Sequence, residues 1–322
     1  MSVYRSAVAK AVWVMVLLGV SSIALGGGLE EPIKPLPLTT GQDPARALIG
    51  RQLFHDARLS ANGRVSCASC HTARHGGADA RDRSVGFTGK ETAVNAPTVL
   101  NAALNFRQFW NGRAETLEQQ VDMVVQNPVE MGSRWVDVVA WVSRDPVYHR
   151  EFVASYADGV TAGNVQNAIA TYERTLITPN SRFDRYLRGA ADAISAEEKA
   201  GYIKFKRYGC IACHQGVNVG GNMFQKFGVM GDYFAQRGMP TDADLGRYLV
   251  THEPADQHVF KVPSLRNVAL TAPYFHDGSV RTLDAAVDVM FRYQLGRVGS
   301  AQDKADIIRF LNTLTGEAPG QL

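Results

Sequence analysis

The sequence predicts an all-α protein built from two related halves, and three observations carry that expectation. The pentapeptide Cys67-Ala68-Ser69-Cys70-His71 returns as Cys210-Ile211-Ala212-Cys213-His214. Capped amphipathic segments follow one another along most of the chain, with no convincing hairpin pair among them. A single offset of 166 residues (263 − 97) pairs Pro97 with Pro263. The same offset pairs Asn101 with Asn267, Phe109 with Phe275, Gly112 with Gly278, and Thr116-Leu117 with Thr282-Leu283. The pentapeptides are only 143 apart (210 − 67), so the second half carries an insertion between its motif and its repeat. A period this long describes a duplicated domain rather than a solenoid.

In C-x-x-C-H two thiols one turn apart can form thioethers with the vinyl groups of one haem, and the following histidine can ligate the iron. A zinc half-site, a thioredoxin-like pair and two disulfides are the other chemistries open to such a motif. The chain has four cysteines, all in these motifs, and each pair runs directly into His. Two covalent c-type haems, at Cys67, Cys70 and His71 and at Cys210, Cys213 and His214, are therefore expected, with no cysteine left for a disulfide.

The 322 residues have room for about two domains. Hydrophobic content of 45% and charged content of 20% are ordinary for a soluble globular protein. A net charge of +3 without a Lys/Arg block gives nucleic-acid binding no support. Arg5 and Lys10 precede an apolar run from Ala11 to Gly26, and Ala24-Leu25-Gly26 offers small residues for cleavage. Residues 1–26 thus read as a signal peptide, with an uncleaved anchor as the alternative, and the mature protein is expected in the periplasm. Residues 27–42, rich in proline, form an extended lead-in.

Asp43-Pro44 opens a helix through Leu48, Ile49, Leu53 and Phe54. Arg74 to Lys90, glycine-rich and charged, reads as a loop over a site. Thr116-x-x-Gln119 is a capping box for a helix whose apolar face is Leu117, Val121, Val124 and Val125. Gln120 lies on that face, as a satisfied core amide or as a pocket residue. Further helices begin at Trp135 and at Asp145-Pro146, the latter carrying Tyr148, Phe152, Val153 and Tyr156. One uses Val165, Ala168, Ile169, Tyr172 and Leu176, and Ser195-x-x-Glu198 caps one that stops at Gly209. The last uses Ile307, Phe310, Leu311 and Leu314, with Gly316 terminating it.

Differences inside the repeat separate the halves. Met290 falls opposite Val124 and shares a face with Leu283, Val287 and Phe291. An inward methionine is usually core filler, but downstream of a haem motif it can be the sixth ligand. Valine cannot ligate, so the first haem is expected to keep an open face and the second to be closed and to transfer electrons. Trp110 falls opposite His276, as a packed indole or as an aromatic relay between the haems.

Together these residues resemble the bacterial dihaem cytochrome c peroxidase superfamily, which includes the MauG-type enzymes, over roughly Ala47 to Gly316. The resemblance rests on Arg58-Leu59-Ser60, Ser66 to His71, Asn95-Ala96-Pro97-Thr98, Phe109 to Ala114, and Asn127-Pro128-Val129-Glu130-Met131. In the second half it rests on Cys210 to His214, Val262 to Asn267, Pro273 to Gly278, and Met290. It implies two cytochrome c-like haem domains joined by a haem-bridging seam. Residues 43–190 would hold the peroxidatic haem and residues 191–322 the electron-transfer haem.

The resemblance further implies that His71 is the proximal ligand of the peroxidatic haem and that His214 and Met290 ligate the other. Glu130 would be the distal carboxylate, Gln120 the amide beside it and Trp110 the inter-haem tryptophan. Asn95, with the carbonyls of Thr271 and Pro273, would surround a calcium ion. A carboxylate can move the proton that peroxide must transfer as its O–O bond breaks, and an amide can orient it. On residues alone, Glu130 reads as a solvated loop carboxylate, and Asn95 and Thr271 as turn residues. The implied partners are hydrogen peroxide and a small electron donor, a cytochrome c or cupredoxin; a protein substrate is the alternative, and a homodimer the implied assembly. The sequence departs from the pattern at Phe87, where many members carry a histidine that blocks the peroxidatic iron. It also carries Asn111 where Asp is usual. Phe87 favours the MauG-type reading; Met290 favours peroxide reduction, because MauG itself has tyrosine there.

Overall fold

Helices begin where short polar side chains can cap them. In the computed structural model, which describes residues 31–320, the Asp43 carboxylate accepts from the N–H groups of Ala45 and Arg46 at the start of α1 (Pro44–His55). Thr116 caps α2 (Leu117–Gln126). The box is only half closed there, because the Gln119 amide oxygen takes the N–H of Glu115 instead of that of Thr116. Next come α3 (Trp135–Arg144), α4 (Pro146–Ser155), capped by Asp145, and α5 (Ala162–Thr175), capped by Thr161. In α6 (Ala196–Tyr208) both halves of the Ser195/Glu198 box form, and Gly209 ends the helix at φ +89°. Each such cap is worth about 1 kcal/mol. The expected signal peptide, 1–26, and the first residues of the lead-in lie outside the described residues.

The fold is mostly helical, as expected. Among the described residues the exception is one antiparallel pair, β1 (Phe224–Lys226) with β2 (Val259–Lys261), inside the insertion of the second half. No hairpin signal announces it, because the strands are distant in sequence and pair through tertiary contact. Beyond it, α7 (Leu283–Val289) runs into a π-helical turn at Met290–Gln294, and α8 (Ala301–Asn312) follows. The last helix ends at Asn312 with Thr313 as cap, short of the Gly316 that the sequence offered.

From Pro32 onward the chain forms one compact unit with two large hydrophobic cores. The first gathers Leu53, Phe54, Val121, Val142, Phe152 and Ile169 from α1 to α5. The second gathers Tyr202, Phe205, Val287, Ile307 and Phe310, and takes in Ile33 from the lead-in and Phe183. Periodicity overstated two faces: Leu48 and Val153 are 50% and 57% exposed.

Each core is organised by a crossing that only glycine permits. A Cβ on Gly50 in α1 would sit 1.9 Å from the Ala168 carbonyl oxygen of α5, and one on Gly201 in α6 would sit 2.0 Å from that of Asp306 in α8. The same correspondence recurs beyond the helices. Asn101 donates its N–H to the Leu176 carbonyl at 2.8 Å, and Asn267 to that of Leu314 at 3.2 Å. Both asparagines adopt φ of +60°, and both side-chain amides donate to Thr178 Oγ1 at 2.9 and 3.0 Å.

Candidate active site

Each Cys-x-x-Cys-His motif opens onto a cavity. Cys67, Cys70 and His71 line one of about 150 Å³, and Cys210, Cys213 and His214 line one of about 380 Å³. The four thiols are unpaired, and burial holds those of Cys67, Cys70 and Cys210 protonated. His71 Nδ1 is 2.9 Å from the Gly77 carbonyl oxygen. His214 Nδ1 stands 3.4 Å from that of Val219. A carbonyl can only accept, so Nδ1 carries the proton and Nε2 keeps its lone pair, the tautomer of an iron ligand. Burial lowers the pKa of both rings, that of His214 to about 4, so both are neutral at pH 7. This donor set, repeated once per cavity, fits two c-type haems.

The cavity beside His71 contains the expected acid and amide. Gln120 reaches it from α2, so it is a pocket residue rather than a closed-off core amide. Glu130 reaches it from the loop after α2, and its Oε2 is buried without a hydrogen-bond partner. Burial raises the Glu130 pKa, opposed by the Arg113 charge and then by a hydrogen bond from Asn127. Arg113 lines the same cavity, its guanidinium 3.4 Å from the centre of the Phe109 ring. Val124 also lines it, as does Met131, which packs in the first hydrophobic core.

The loop over this cavity presents Ser84, Val85 and Gly86 to it, but not Phe87. Gly86 allows the loop to press on the next segment, since a Cβ there would lie 1.7 Å from the Val129 carbonyl oxygen. Phe87 donates its N–H to the Glu130 carbonyl at 2.8 Å, and its ring covers Gly132, 2.2 Å from where a Cβ would be. The aromatic ring is thus parked on a glycine.

Met290 lines the other cavity together with His214, at the first residue of the π-helical turn. Trp110 also lines it. Its indole N–H donates to the Asn95 carbonyl at 2.9 Å, and its ring meets His276 edge-on at 6.5 Å. Asn95 to Thr98 line both cavities, so this hydrogen bond joins the tryptophan to their shared wall. Asn95, Thr271 and Pro273 come together on the larger cavity. The Asn95 side chain gives its NH₂ to the Arg81 carbonyl, which leaves Oδ1 as its oxygen donor.

Three lining residues were not anticipated. Arg113 stood inside a quoted motif without a role. Glu173 gave no signal, because one acid in an amphipathic helix reads as solvent-facing, whereas it is 6% exposed with an orphaned Oε2. Lys261 had a signal: the 166-residue offset places it opposite Asn95 (261 − 166).

Comparison with known proteins agrees with this geometry. Residues 44–192 match the family model described as di-haem cytochrome c peroxidase. The chain is 45% identical over 288 residues to cytochrome c peroxidase Ccp of Escherichia coli (strain K12), covering 89% of this chain but 62% of that protein's length. It is 42% identical to cytochrome c551 peroxidase of Nitrosomonas europaea, covering 90% of this chain and 86% of the relative. Among solved structures, a MauG-like protein associated with microbial copper homeostasis superposes with a TM-score of 0.77 at 30% identity, covering 91% of this chain and 96% of the other.

Proposed function

The chain belongs to the dihaem cytochrome c peroxidase/MauG superfamily, a family of peroxidase oxidoreductases, and on that premise we propose that it reduces hydrogen peroxide to water beside His71. Electrons enter from a small cytochrome c or cupredoxin at the His214/Met290 side and pass by Trp110. The observation that carries this reading is the asymmetry of the cavities. One offers a buried acid, an amide and a guanidinium, with its methionine, Met131, packed in the first hydrophobic core, and the other offers Met290. When bound, haem supplies a redox-active iron that exchanges single electrons and takes up peroxide.

The residues of the chain do the rest. Cys67 and Cys70, and Cys210 and Cys213, anchor the groups, and His71 and His214 present Nε2. Glu130, whose carboxylate burial makes a stronger base, takes a proton from one peroxide oxygen and returns it to the other. Gln120 orients peroxide through its amide, and Arg113 offsets negative charge as the O–O bond lengthens. Trp110 lies on the route between the cavities. Asn95 Oδ1 with the Thr271 and Pro273 carbonyls is an oxygen set suited to calcium. We read residues 43–190 and 191–322 as duplicated halves, and the mature protein as periplasmic and a homodimer. No helix among the described residues is long and apolar enough to cross a membrane.

A second reading is MauG-type oxidation of Trp or Tyr on a partner protein. Phe87, which offers the iron no lone pair and turns its ring onto Gly132, favours it; Met290 favours the first. Steady-state peroxide turnover with and without reduced cytochrome c separates them. Donor-dependent turnover supports peroxide reduction, and its absence together with oxidation of a protein substrate supports the second reading.

A further inference from the structure

The two cavities differ in their ionisable side chains. The one beside His71 is lined by Glu130, Glu173 and Arg113, whereas the one beside His214 is lined by Lys226 and Lys261 and by no aspartate or glutamate. Lys226 is exposed. Lys261 is 6% exposed and sits in β2. Burial alone acts on its ammonium, pushing its pKa down to about 8, with no carboxylate to oppose the shift.

The backbone of Lys261 has a role that needs no charge. Its N–H donates to the Trp110 carbonyl at 2.8 Å. The corresponding residue of the first half, Asn95, holds the indole N–H of the same tryptophan through its carbonyl. The two positions clasp Trp110 from its two ends through backbone groups, and the first of them carries an uncharged side chain. The fold therefore does not require a cation at residue 261. An ammonium desolvated without a counter-charge is unfavourable unless an anion comes to it. A haem brings two propionate carboxylates.

We propose that Lys261 is the internal counter-ion of the haem anchored at Cys210 and Cys213, pairing with a propionate and holding the reduction potential of that haem up. The inference rests on the reading of that cavity as the electron-entry haem site. Its sign follows from charge: a fixed cation disfavours the more positive ferric state, so removing it makes the ferrous form harder to reach. Lys261 is thus a positioning residue, and it adds to Met290 in ordering the two sites.

Redox titration of the two-haem protein, followed optically, tests this with Lys261→Gln, Lys261→Met and Lys261→Arg. The Gln and Met variants should shift the ferric/ferrous equilibrium of the His214 haem at least tenfold toward ferric, a fall of about 59 mV for one electron. Arg should retain the wild-type midpoint, and the other haem should not move. An unchanged midpoint in Lys261→Gln overturns the proposal. Should the variants fail to mature, infrared redox-difference spectra of wild-type protein with isotope-labelled lysine decide it. A labelled ammonium band that responds to oxidation of this haem supports the pairing, and its absence refutes it. Fewer than two haems per chain, or no methionine–iron signature in wild type, would instead remove the reading of the site.

Discussion

The cavity beside His71 and the cavity beside His214 stand on the same frame, and they differ in which side chains are left without partners. Each lies by a glycine-permitted helix crossing and receives a histidine held through Nδ1 by a carbonyl. Counting from Leu176 and Leu314, which accept equivalent asparagine N–H bonds, the halves are 138 residues apart there (314 − 176). That spacing places Glu173 opposite Leu311, and both line their cavities. It follows that the frame tolerates leucine where the first half buries an acid, just as it tolerates asparagine where the second buries Lys261. Fold explains the shared positions. The unshared ones, each costly in a dry interior, are where chemistry separates the halves.

The comparison breaks most visibly at Met290. Met290→Ala should abolish the methionine–iron band in near-infrared spectra while leaving the His71 haem unchanged, because Val124 offers that haem no equivalent. If both haems change, or neither does, the ligand assignment fails. Glu130→Gln should slow reaction with peroxide by about 10²-fold or more, with haem content and the His214 haem unaffected. Stopped-flow rates equal to wild type would make Glu130 a bystander despite its burial.

A smaller effect is expected at Phe87. Oxidised enzyme should contain a high-spin haem and react with peroxide without pre-reduction. Phe87→His should impose partial dependence on reduction, since the loop must lift the new ring off Gly132 before it can reach the cavity. Electron paramagnetic resonance of the oxidised protein, followed by mixing with peroxide, reads both. A purely low-spin wild-type spectrum with strict need for a reducing equivalent would mean that another residue closes the iron.

The smallest effect concerns stability. Burial, opposed by Arg174 and reinforced by Glu118, raises Glu173 to about 8. The native state therefore holds a proton that the unfolded chain has already lost at pH 5 to 8. Glu173 should be stability-neutral below about pH 4.5 and should erode stability as pH rises toward 8, by at most about 1.4 kcal/mol per unit. Glu173→Gln should flatten that slope in denaturant titrations of the holoprotein, whereas Glu130→Gln serves as the comparison within the same cavity.

What the sequence disclosed was local. The haem motifs are contiguous, and the caps at Asp43, Asp145 and Ser195 act within four residues, so they could be read directly. Gln120 could be placed on a helix face, but only the packed cavity decided between core and pocket. The β1–β2 pair, the resting place of Phe87 and the burial of Glu173 depend on segments far apart in the chain, to which no periodicity is sensitive. Lys261 is intermediate. The repeat already placed it opposite Asn95, but its isolation from every acid is a property of the assembled cavity.

Thr178 ties the two halves at a single atom. Its hydroxyl oxygen takes the amides of Asn101 and Asn267, while its N–H goes to Asn101 Oδ1 and that of Gly316 to Asn267 Oδ1. All three side chains are buried. Separating the halves would strand two amides in a dry seam at once, so neither half can loosen privately. The linkage is expected to make the pair cooperative, so that heat or denaturant should meet one melting unit.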